Sequence, residues 1–239
     1  MKEAVRTNFD ESVTAYDDYE RRTGRFTALA RLLRAEMAPR TGDVERILDA
    51  GAGTGVSTRV FGDWGRTVAL DLSREMLREV STGERVQGDF DHLPFADGSF
   101  DAVAFTASLF LTPDPGAAAS EAARVLRPGG VVGAVAPLGW VRADGSDVFD
   151  ELERESRSPT DANTVERALE DSFAVQTGTW RFATTAEDVR QFHAIPAMAA
   201  RLYPRLPPEE RVATARELLA GLDGTLEQRW RWVVGVTET

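Results

Sequence analysis

Three glycines on alternate positions follow an acidic residue in the segment ILDAGAGTGVSTRVF. The acidic residue is Asp49, and the glycines are Gly51, Gly53 and Gly55. Glycines between a strand and a helix let the backbone approach a bound nucleotide closely. The dinucleotide fingerprint G-x-G-x-x-G is not matched, because Val56 occupies its third glycine position. The charge of Asp49 also opposes a pyrophosphate, so this turn is expected to favour a cation.

Two further carboxylates follow the next predicted strands and complete an adenosine-binding pattern. Asp71 ends the second strand, where a carboxylate can accept hydrogen bonds from both ribose hydroxyls. Asp89, in GDFDHLPF, follows the third strand and is suitably placed to accept a hydrogen bond from the exocyclic amine of adenine. Phe90 or Met76 can pack on the adenine face. The three carboxylates together predict a site for a positively charged adenosyl compound.

Short apolar strands alternate with helices from residue 44 to residue 136, which predicts βαβ units and a parallel sheet covered on both faces. The predicted strands are 47–49, 67–70, one near Val86, 100–105 and 131–136, and RPGG (127–130) is a predicted sharp turn. The flanking segments are predicted as two helices over 9–38, polar helices over 144–171, a strand over 173–182, helices over 186–222 and a final strand over 229–237.

Composition excludes several classes of function. A net charge of −11 argues against nucleic acid as the main partner. The absence of cysteine excludes disulfides, thiolate metal sites and cysteine nucleophiles, and two isolated histidines do not suggest a histidine-rich metal site, so no metal is predicted. Lys2 is the single lysine, which suits either a high-salt cytoplasm or an arginine-rich codon bias. We find no signal peptide or membrane span in the sequence and expect a cytoplasmic protein.

Four segments resemble the class I S-adenosylmethionine-dependent methyltransferases in order and spacing. They are ILDAGAGTG, ALDLSREML, GDFDHLPFADGSFDAV and ARVLRPGGVVGAV, and they span residues 47–136. The tail, with FATTAEDVRQF, LPPEER and RWVVGV, resembles the small-molecule branch of that family. That branch includes carboxyl methyltransferases acting on aconitate-like acids or malonyl carrier protein, and quinone C-methyltransferases.

The resemblance implies a cofactor, S-adenosyl-L-methionine, and a set of residues that hold it. Asp49 and the glycine turn would bind the methionine part, Asp71 the ribose, and Asp89 with Phe90 the adenine. Phe105 and Thr106 would lie beside the sulfonium. The predicted cofactor-binding residues are Asp49, Gly51, Ala52, Gly53, Gly55, Asp71, Leu72, Met76, Asp89, Phe90, Phe105 and Thr106.

The expected architecture is α/β: a Rossmann-like, doubly wound, mostly parallel seven-stranded sheet with an antiparallel last strand and a helical cap. We expect a single domain over residues 1–239. Within it, 1–42 would form an N-terminal helical cap and 43–137 the cofactor-binding core. Residues 138–239 would supply helices, the last two strands and an inserted helical lid at about 184–224.

Catalytic residues are harder to identify, because methyl transfer from a sulfonium requires positioning more than acid–base chemistry. Tyr16 and Tyr19 are candidates to fold over the cofactor, as the resemblance suggests, or they belong to an amphipathic helix that packs on the core. His193 is a candidate general base or a histidine that satisfies local hydrogen bonds. Arg201 or Arg142 can pair with a substrate carboxylate.

Three functions follow from these observations. The first is methyl transfer to a small-molecule acceptor, free or carrier-bound, and the resemblance of the tail slightly favours a carboxylate or similar oxygen acceptor over a quinone-type carbon. The second is a protein that binds S-adenosylmethionine without catalysis. The third is an NAD-dependent oxidoreductase, which Val56 and Asp49 disfavour. The sequence leaves the oligomeric state open.

Overall fold

The computed structural model describes residues 2–150, 152 and 161–237. These residues group into two compact units. The sheet unit comprises the described residues of Arg25–Pro137, Thr160–Gly178 and Arg231–Thr239. The helical unit comprises those of Met1–Gly24, Leu138–Pro159 and Thr179–Trp230.

Helices and strands alternate through most of the chain. In chain order they are α1 (Lys2–Asp10), α2 (Val13–Thr23), α3 (Arg25–Met37), β1 (Arg46–Ala50), α4 (Val56–Gly62), β2 (Arg66–Asp71), α5 (Arg74–Glu79), β3 (Glu84–Gln87), β4 (Phe100–Thr106), α6 (Pro115–Val125), β5 (Leu126–Val141), α7 (Ala162–Glu170), β6 (Ala174–Thr185), α8 (Ala186–His193), α9 (Pro196–Leu202), α10 (Pro208–Leu218) and β7 (Thr225–Val236). Two short 3₁₀ helices cover Ala38–Arg40 and Leu109–Leu111.

The seven strands form one sheet in the order β3-β2-β1-β4-β5-β7-β6. Neighbours among β1 to β5 run parallel, with Asp49 in register with Ala69 on β2 and with Ala104 on β4. The strand order therefore reverses between β1 and β4, and open α/β sheets bind ligands outside the carboxyl ends of the strands at such a point.

The last strand, β7, runs antiparallel to the rest of the sheet, as predicted. A Cβ atom on Gly178 would lie 2.6 Å from the Trp232 ring, and one on Gly235 would lie 3.2 Å from Val175. Residue numbers therefore fall along β7 as they rise along β6. These pairs confirm the mixed, Rossmann-like sheet.

Helices pack on both faces of the sheet, because its apolar strands present hydrophobic side chains on both faces. Ile47 and Leu48 on β1 are completely buried, as are Val131 and Val132 on β5. Helix α3 lies against β5 at Gly133, where a Cβ atom would overlap the side chain of Met37. The small residue at this position allows the close approach of helix and sheet.

Several element boundaries differ from the sequence prediction. The two helices predicted over 9–38 correspond to α2 and α3, which Gly24 separates in the left-handed conformation, and a further helix, α1, precedes them. The segment RPGG lies within β5 as an irregularity: Phe100 pairs with Leu126 but Ala102 pairs with Val131. The final strand begins at Thr225, earlier than predicted.

The polar helices predicted over 144–171 are reduced to α7 among the residues described there. Residues 142–145 form a turn in which the N–H of Gly145 donates to the carbonyl of Arg142. Residues 151 and 153–160, which the prediction also included, lie outside the described part. Within the part of the chain that the structure covers, no helix combines the length and apolar character needed to cross a membrane.

Candidate functional site

Asp49 lies at the carboxyl end of β1 and is completely buried. Its Oδ2 accepts hydrogen bonds of 2.7 Å from the hydroxyls of Ser57 and Thr58, both in the first turn of α4. Its Oδ1 has no hydrogen-bond partner among the described residues. Burial raises the pKa of Asp49 to about 6, although the two hydroxyls act in the opposite direction. One oxygen of this costly buried carboxylate is thus left for another donor.

The glycine turn is held against the end of β2. The backbone N–H groups of Gly51 and Ala52 both donate to the carbonyl of Leu70, at 2.8 and 3.0 Å. Gly51 has φ +78°, and a Cβ atom there would lie 2.9 Å from Oγ of Ser108 and would overlap its Cβ. Only glycine satisfies both the left-handed backbone and the lack of space.

Asp71 connects the glycine turn to the start of α5. Its Oδ2 accepts the N–H of Gly53 at 2.8 Å, and its Oδ1 accepts the N–H of Ser73 at 2.8 Å. Ser73 in turn caps α5 by accepting the N–H of Met76 at 3.1 Å. Asp71 is half-buried, and carboxylate oxygens accept more than one hydrogen bond, so it has the capacity to bind a ligand hydroxyl as well.

Residues 88–98, which we call the adenine loop, begin with the predicted adenine contacts. The Asp89 Oδ1 accepts the N–H of Asp91 at 3.0 Å. The ring of Phe90 packs edge-on against Phe105, with ring centroids 5.7 Å apart and the planes at 89°. Phe105 is completely buried whereas Phe90 is partly exposed, so Phe105 supports Phe90 from within the sheet.

The segment after β4 carries residues that the sequence analysis missed. Ala107 has φ +58°, a left-handed conformation that is rare for a residue other than glycine. Ser108, next to it, donates a 2.6 Å hydrogen bond to the carbonyl of Ala50 and is buried. Ala107 and Ser108 belong to no recognised motif. The contact between Ser108 and Ala50 joins positions that are far apart in sequence, so local sequence patterns do not predict it.

Thr106, at the carboxyl end of β4, is a second buried polar residue besides Asp49 at this edge of the sheet. Its hydroxyl has no hydrogen-bond partner among the described residues, and the residue is buried. Asp49 is in register with Ala104, and side chains two positions apart on a strand share a face. Thr106 and Asp49 therefore lie on the same face of neighbouring strands.

The predicted cofactor residues divide into an accessible group and a buried group. The partly exposed residues are Gly51, Gly53, Asp71, Leu72, Asp89 and Phe90, and the buried residues are Asp49, Ala52, Gly55, Met76, Phe105 and Thr106. Met76 is completely buried, so of the two residues predicted to stack on adenine, Phe90 is the better placed.

The predicted catalytic candidates lie in the helical unit. His193 is buried among aromatic rings, with centroids 4.9 Å from Trp140, 5.0 Å from Phe149 and 5.2 Å from Phe192. Tyr19 is also buried and packs edge-on against Phe192 at 5.4 Å. Tyr16, on the same helix α2, is half-buried. These contacts give His193 and Tyr19 a structural role, and a catalytic role for any of the three stays a prediction.

Two arginines of the helical unit were predicted to bind a substrate carboxylate. Arg201, on α9, has its pKa lowered to about 10 by burial and therefore stays charged at neutral pH. Arg142 donates to the carbonyl of Asp147 at 3.3 Å. Among the described residues, no group of three or more histidine or acidic side chains is arranged to hold a metal ion.

A known family matches the part of this chain that holds the glycine turn and residues 88–98. Residues 48–134 match the family described as "Methyltransferase domain". A malonyl-[acyl-carrier protein] O-methyltransferase of Dechloromonas aromatica is 41% identical over 147 residues, which cover 58% of this chain and 52% of that protein. A demethylmenaquinone methyltransferase of Renibacterium salmoninarum is 43% identical over 94 residues, which cover 36% of this chain and 38% of that protein.

The chain thus spans about half, or less, of the length of these two relatives. Among solved structures, a candidate methyltransferase from Bacillus halodurans superposes with a TM-score of 0.62 at 19% identity, over 88% of this chain and 99% of its own. That likeness shows the fold. The matched segment, the relatives and the fold together make this chain similar, over residues 48–134, to the class I S-adenosylmethionine-dependent methyltransferases.

Proposed function

We propose that this protein transfers a methyl group from S-adenosylmethionine to a small-molecule acceptor, free or carrier-bound, and that the accepting atom is a carboxylate oxygen. The observation that carries the proposal is the buried carboxylate of Asp49 beside the glycine turn, with one oxygen that has no hydrogen-bond donor among the described residues. A cation bound nearby would offset the cost of burying this charge, whereas a pyrophosphate would add to it.

The residues at the carboxyl ends of β1, β2 and β4 fit an adenosyl compound with a charged methionine part. Asp49 and Thr106 each offer a buried oxygen to an ammonium or sulfonium group. Asp71, already fixed by two backbone N–H groups, would accept hydrogen bonds from the ribose hydroxyls. Asp89 would accept from the amine of adenine, and Phe90 would pack on the ring. Each of these roles is a proposal.

When bound, S-adenosylmethionine supplies a sulfonium-bound methyl group, which the acceptor oxygen takes as the carbon–sulfur bond breaks and S-adenosylhomocysteine leaves. The protein's task is to hold the acceptor oxygen in line with that bond and to exclude water. Positioning of this kind can supply several kcal/mol, up to about 7–11 kcal/mol in ideal cases. A carboxylate acceptor is ionised at neutral pH and needs no general base.

Arg201 is a candidate partner for a carboxylate acceptor. A guanidinium binds a carboxylate by charge-assisted, bidentate hydrogen bonds, and Arg201 stays charged at neutral pH. The similarity to a malonyl-[acyl-carrier protein] O-methyltransferase agrees with an oxygen acceptor, although demethylmenaquinone methyltransferases are similar over a shorter range.

A helical lid at about 184–224, a single domain and a cytoplasmic location stay predictions.

Calorimetric titration with S-adenosylmethionine and S-adenosylhomocysteine tests the cofactor assignment. We expect dissociation constants in the micromolar range for both. The absence of binding at high protein concentration would rule out the proposed function, and stronger binding of NADH would favour an oxidoreductase.

Methyl transfer is tested with methyl-labelled cofactor and a panel of acceptors. The panel contains free di- and tricarboxylic acids and malonyl carrier protein. Carboxylate methylation gives an ester, so the label should be released as methanol by mild base. Base-stable label would show a carbon or nitrogen acceptor instead. Cofactor binding without any transfer would favour the non-catalytic alternative. Arg201→Met should abolish ester formation while S-adenosylhomocysteine still binds with unchanged affinity.

A further inference from the structure

A buried carboxylate that the proposed mechanism does not use lies in the adenine loop. Asp91 is only 5% exposed, and both of its oxygens lie 3.0 Å from the hydroxyl of Thr112. Thr112 is itself buried, and its hydroxyl oxygen accepts the N–H of Asp114 at 3.2 Å. Thr112 therefore fixes Asp91 to the segment that begins α6. A buried carboxylate is costly to keep, which favours a positional role for this one.

The backbone of Asp91 determines how the side chain of Asp89 is oriented. The N–H of Asp91 donates to the Oδ1 of Asp89 at 3.0 Å, and the N–H of His92 donates to the carbonyl of Asp89 at 3.1 Å. These two bonds close a tight turn. Any displacement of Asp91 would therefore move the Asp89 carboxylate with it.

The other half of the adenine loop is fixed independently by α6. Glu121 accepts the N–H of Leu93 at 2.7 Å, and Arg124 donates to the carbonyls of Leu93 and Phe95 at 3.0 and 2.8 Å. Arg124 also pairs with both carboxylate oxygens of Glu121 at 2.8 Å. This pairing lowers the pKa of Glu121. Loss of the Thr112 contact would thus loosen residues 89–91 while the downstream half stayed in place.

We infer that Thr112 and Asp91 are positioning residues that set the selectivity of the cofactor site for a 6-aminopurine over a 6-oxopurine. The inference rests on the proposed function, in which Asp89 accepts a hydrogen bond from the adenine amine. A 6-oxopurine would present a carbonyl oxygen to the same carboxylate, and two acceptors repel. Hydrogen bonds lose strength over a few tenths of an ångström, so this discrimination requires that Asp89 be held in place.

The experiment compares the affinity of S-adenosylhomocysteine with that of S-inosylhomocysteine, its 6-oxo analogue, by calorimetry. We expect the wild-type protein to prefer the adenosyl compound by about 100-fold. Thr112→Val removes the hydroxyl at nearly constant volume and should reduce the preference to less than about 10-fold. Thr112→Ser keeps the hydroxyl and should restore most of the preference.

The matched control is Thr67→Val, which also removes a buried hydroxyl from the sheet unit. Thr67 is on β2, and its hydroxyl donates to the carbonyl of Gly65 at 3.1 Å, outside the adenine loop. This variant should lose stability but keep the wild-type preference. The ratio of affinities isolates the purine contact, because the two ligands share every other group.

The outcomes separate the inference from the function on which it rests. If the wild-type protein binds neither compound, both the proposed function and the inference fail. If it discriminates and Thr112→Val discriminates equally well, the inference alone is overturned. Should Thr112→Val not fold, Asp91→Ala replaces it in the test: this variant loses the acceptor of the Thr112 hydroxyl but keeps the N–H that donates to Asp89, and its preference should also fall below about 10-fold. An unchanged preference in that variant would also overturn the inference.

Discussion

The Oδ2 atom of Asp71 accepts a 2.8 Å hydrogen bond from the backbone N–H of Gly53, which joins the end of β2 to the glycine turn that follows β1. The other oxygen of the same carboxylate accepts the N–H of Ser73. One side chain therefore fixes two loops at the edge of the sheet. A group held in this way loses little further freedom on binding a ligand, which favours affinity.

Replacement of Asp71 by alanine should weaken cofactor binding by about 1–3 kcal/mol, because the ribose hydroxyls would lose their acceptor. Asp71→Asn keeps one oxygen acceptor and should lose less. Calorimetry with S-adenosylhomocysteine measures both. Asp63→Ala is the matched control, since the Asp63 side chain is 80% exposed at the end of α4. Unchanged affinity in Asp71→Ala would show that another carboxylate binds the ribose.

Asp49 should make the free energy of unfolding decrease as the pH rises, a direction that is unusual for an acidic residue. Its pKa is raised to about 6 by burial, so the folded protein binds the proton more tightly than the unfolded chain does. The carboxylate therefore destabilises the fold fully above pH 6, and this cost, about 3 kcal/mol, fades as the pH falls from 6 towards 4.

Asp49→Asn should remove that cost. Thermal unfolding between pH 4.5 and 8 should show the variant to be more stable than the wild type above pH 6, with the difference shrinking at lower pH. The same variant should bind S-adenosylmethionine more weakly, because the negative charge beside the cation is gone. A variant that is less stable at pH 8 and has the wild-type pH profile would contradict the raised pKa.

Gly51→Ala should damage both stability and binding. Its φ of +78° is strained for alanine, and the new Cβ would overlap Ser108, so we expect a loss of about 1–3 kcal/mol in the free energy of unfolding and weaker cofactor binding. Gly62→Ala is the control: among the described residues, no atom other than those of its chain neighbours and its own helix backbone lies within 4 Å of the Cβ position, and the residue is helical. It should change stability by less than about 1 kcal/mol. Equal stability of the two variants would argue against a tight turn.

His193→Phe should keep the methylation rate within about tenfold of the wild type, because an ionised carboxylate acceptor needs no base. The aromatic cluster of Trp140, Phe149 and Phe192 should also accommodate a phenyl ring. The measurement is the initial rate of label transfer at saturating cofactor. A decrease of 10²–10⁴ with cofactor affinity unchanged is typical of a lost general base and would identify His193 as catalytic.

Much of the sheet was predictable from short-range patterns. The alternation of apolar runs with helical segments gave β1, β2 and β4 close to their observed bounds, because both signals are local. Predictions failed where tertiary pairing overrides local propensity. RPGG reads as a turn, yet pairing with β4 keeps it within β5. Helix α1 was also missed: it lies almost entirely before residue 9, and none of its residues is buried.

The sequence by itself determined which functional groups lie at the strand ends. The carboxylates of Asp49 and Asp71 lie within a few positions of the apolar runs that define β1 and β2. Only the tertiary structure decided how those groups behave. The raised pKa of Asp49 arises from burial by several elements, and Ser108 reaches the glycine turn from 58 positions away, as Thr112 reaches Asp91 from 21. Burial and such long-range contacts depend on the neighbours that the fold assembles, and local sequence patterns do not encode them.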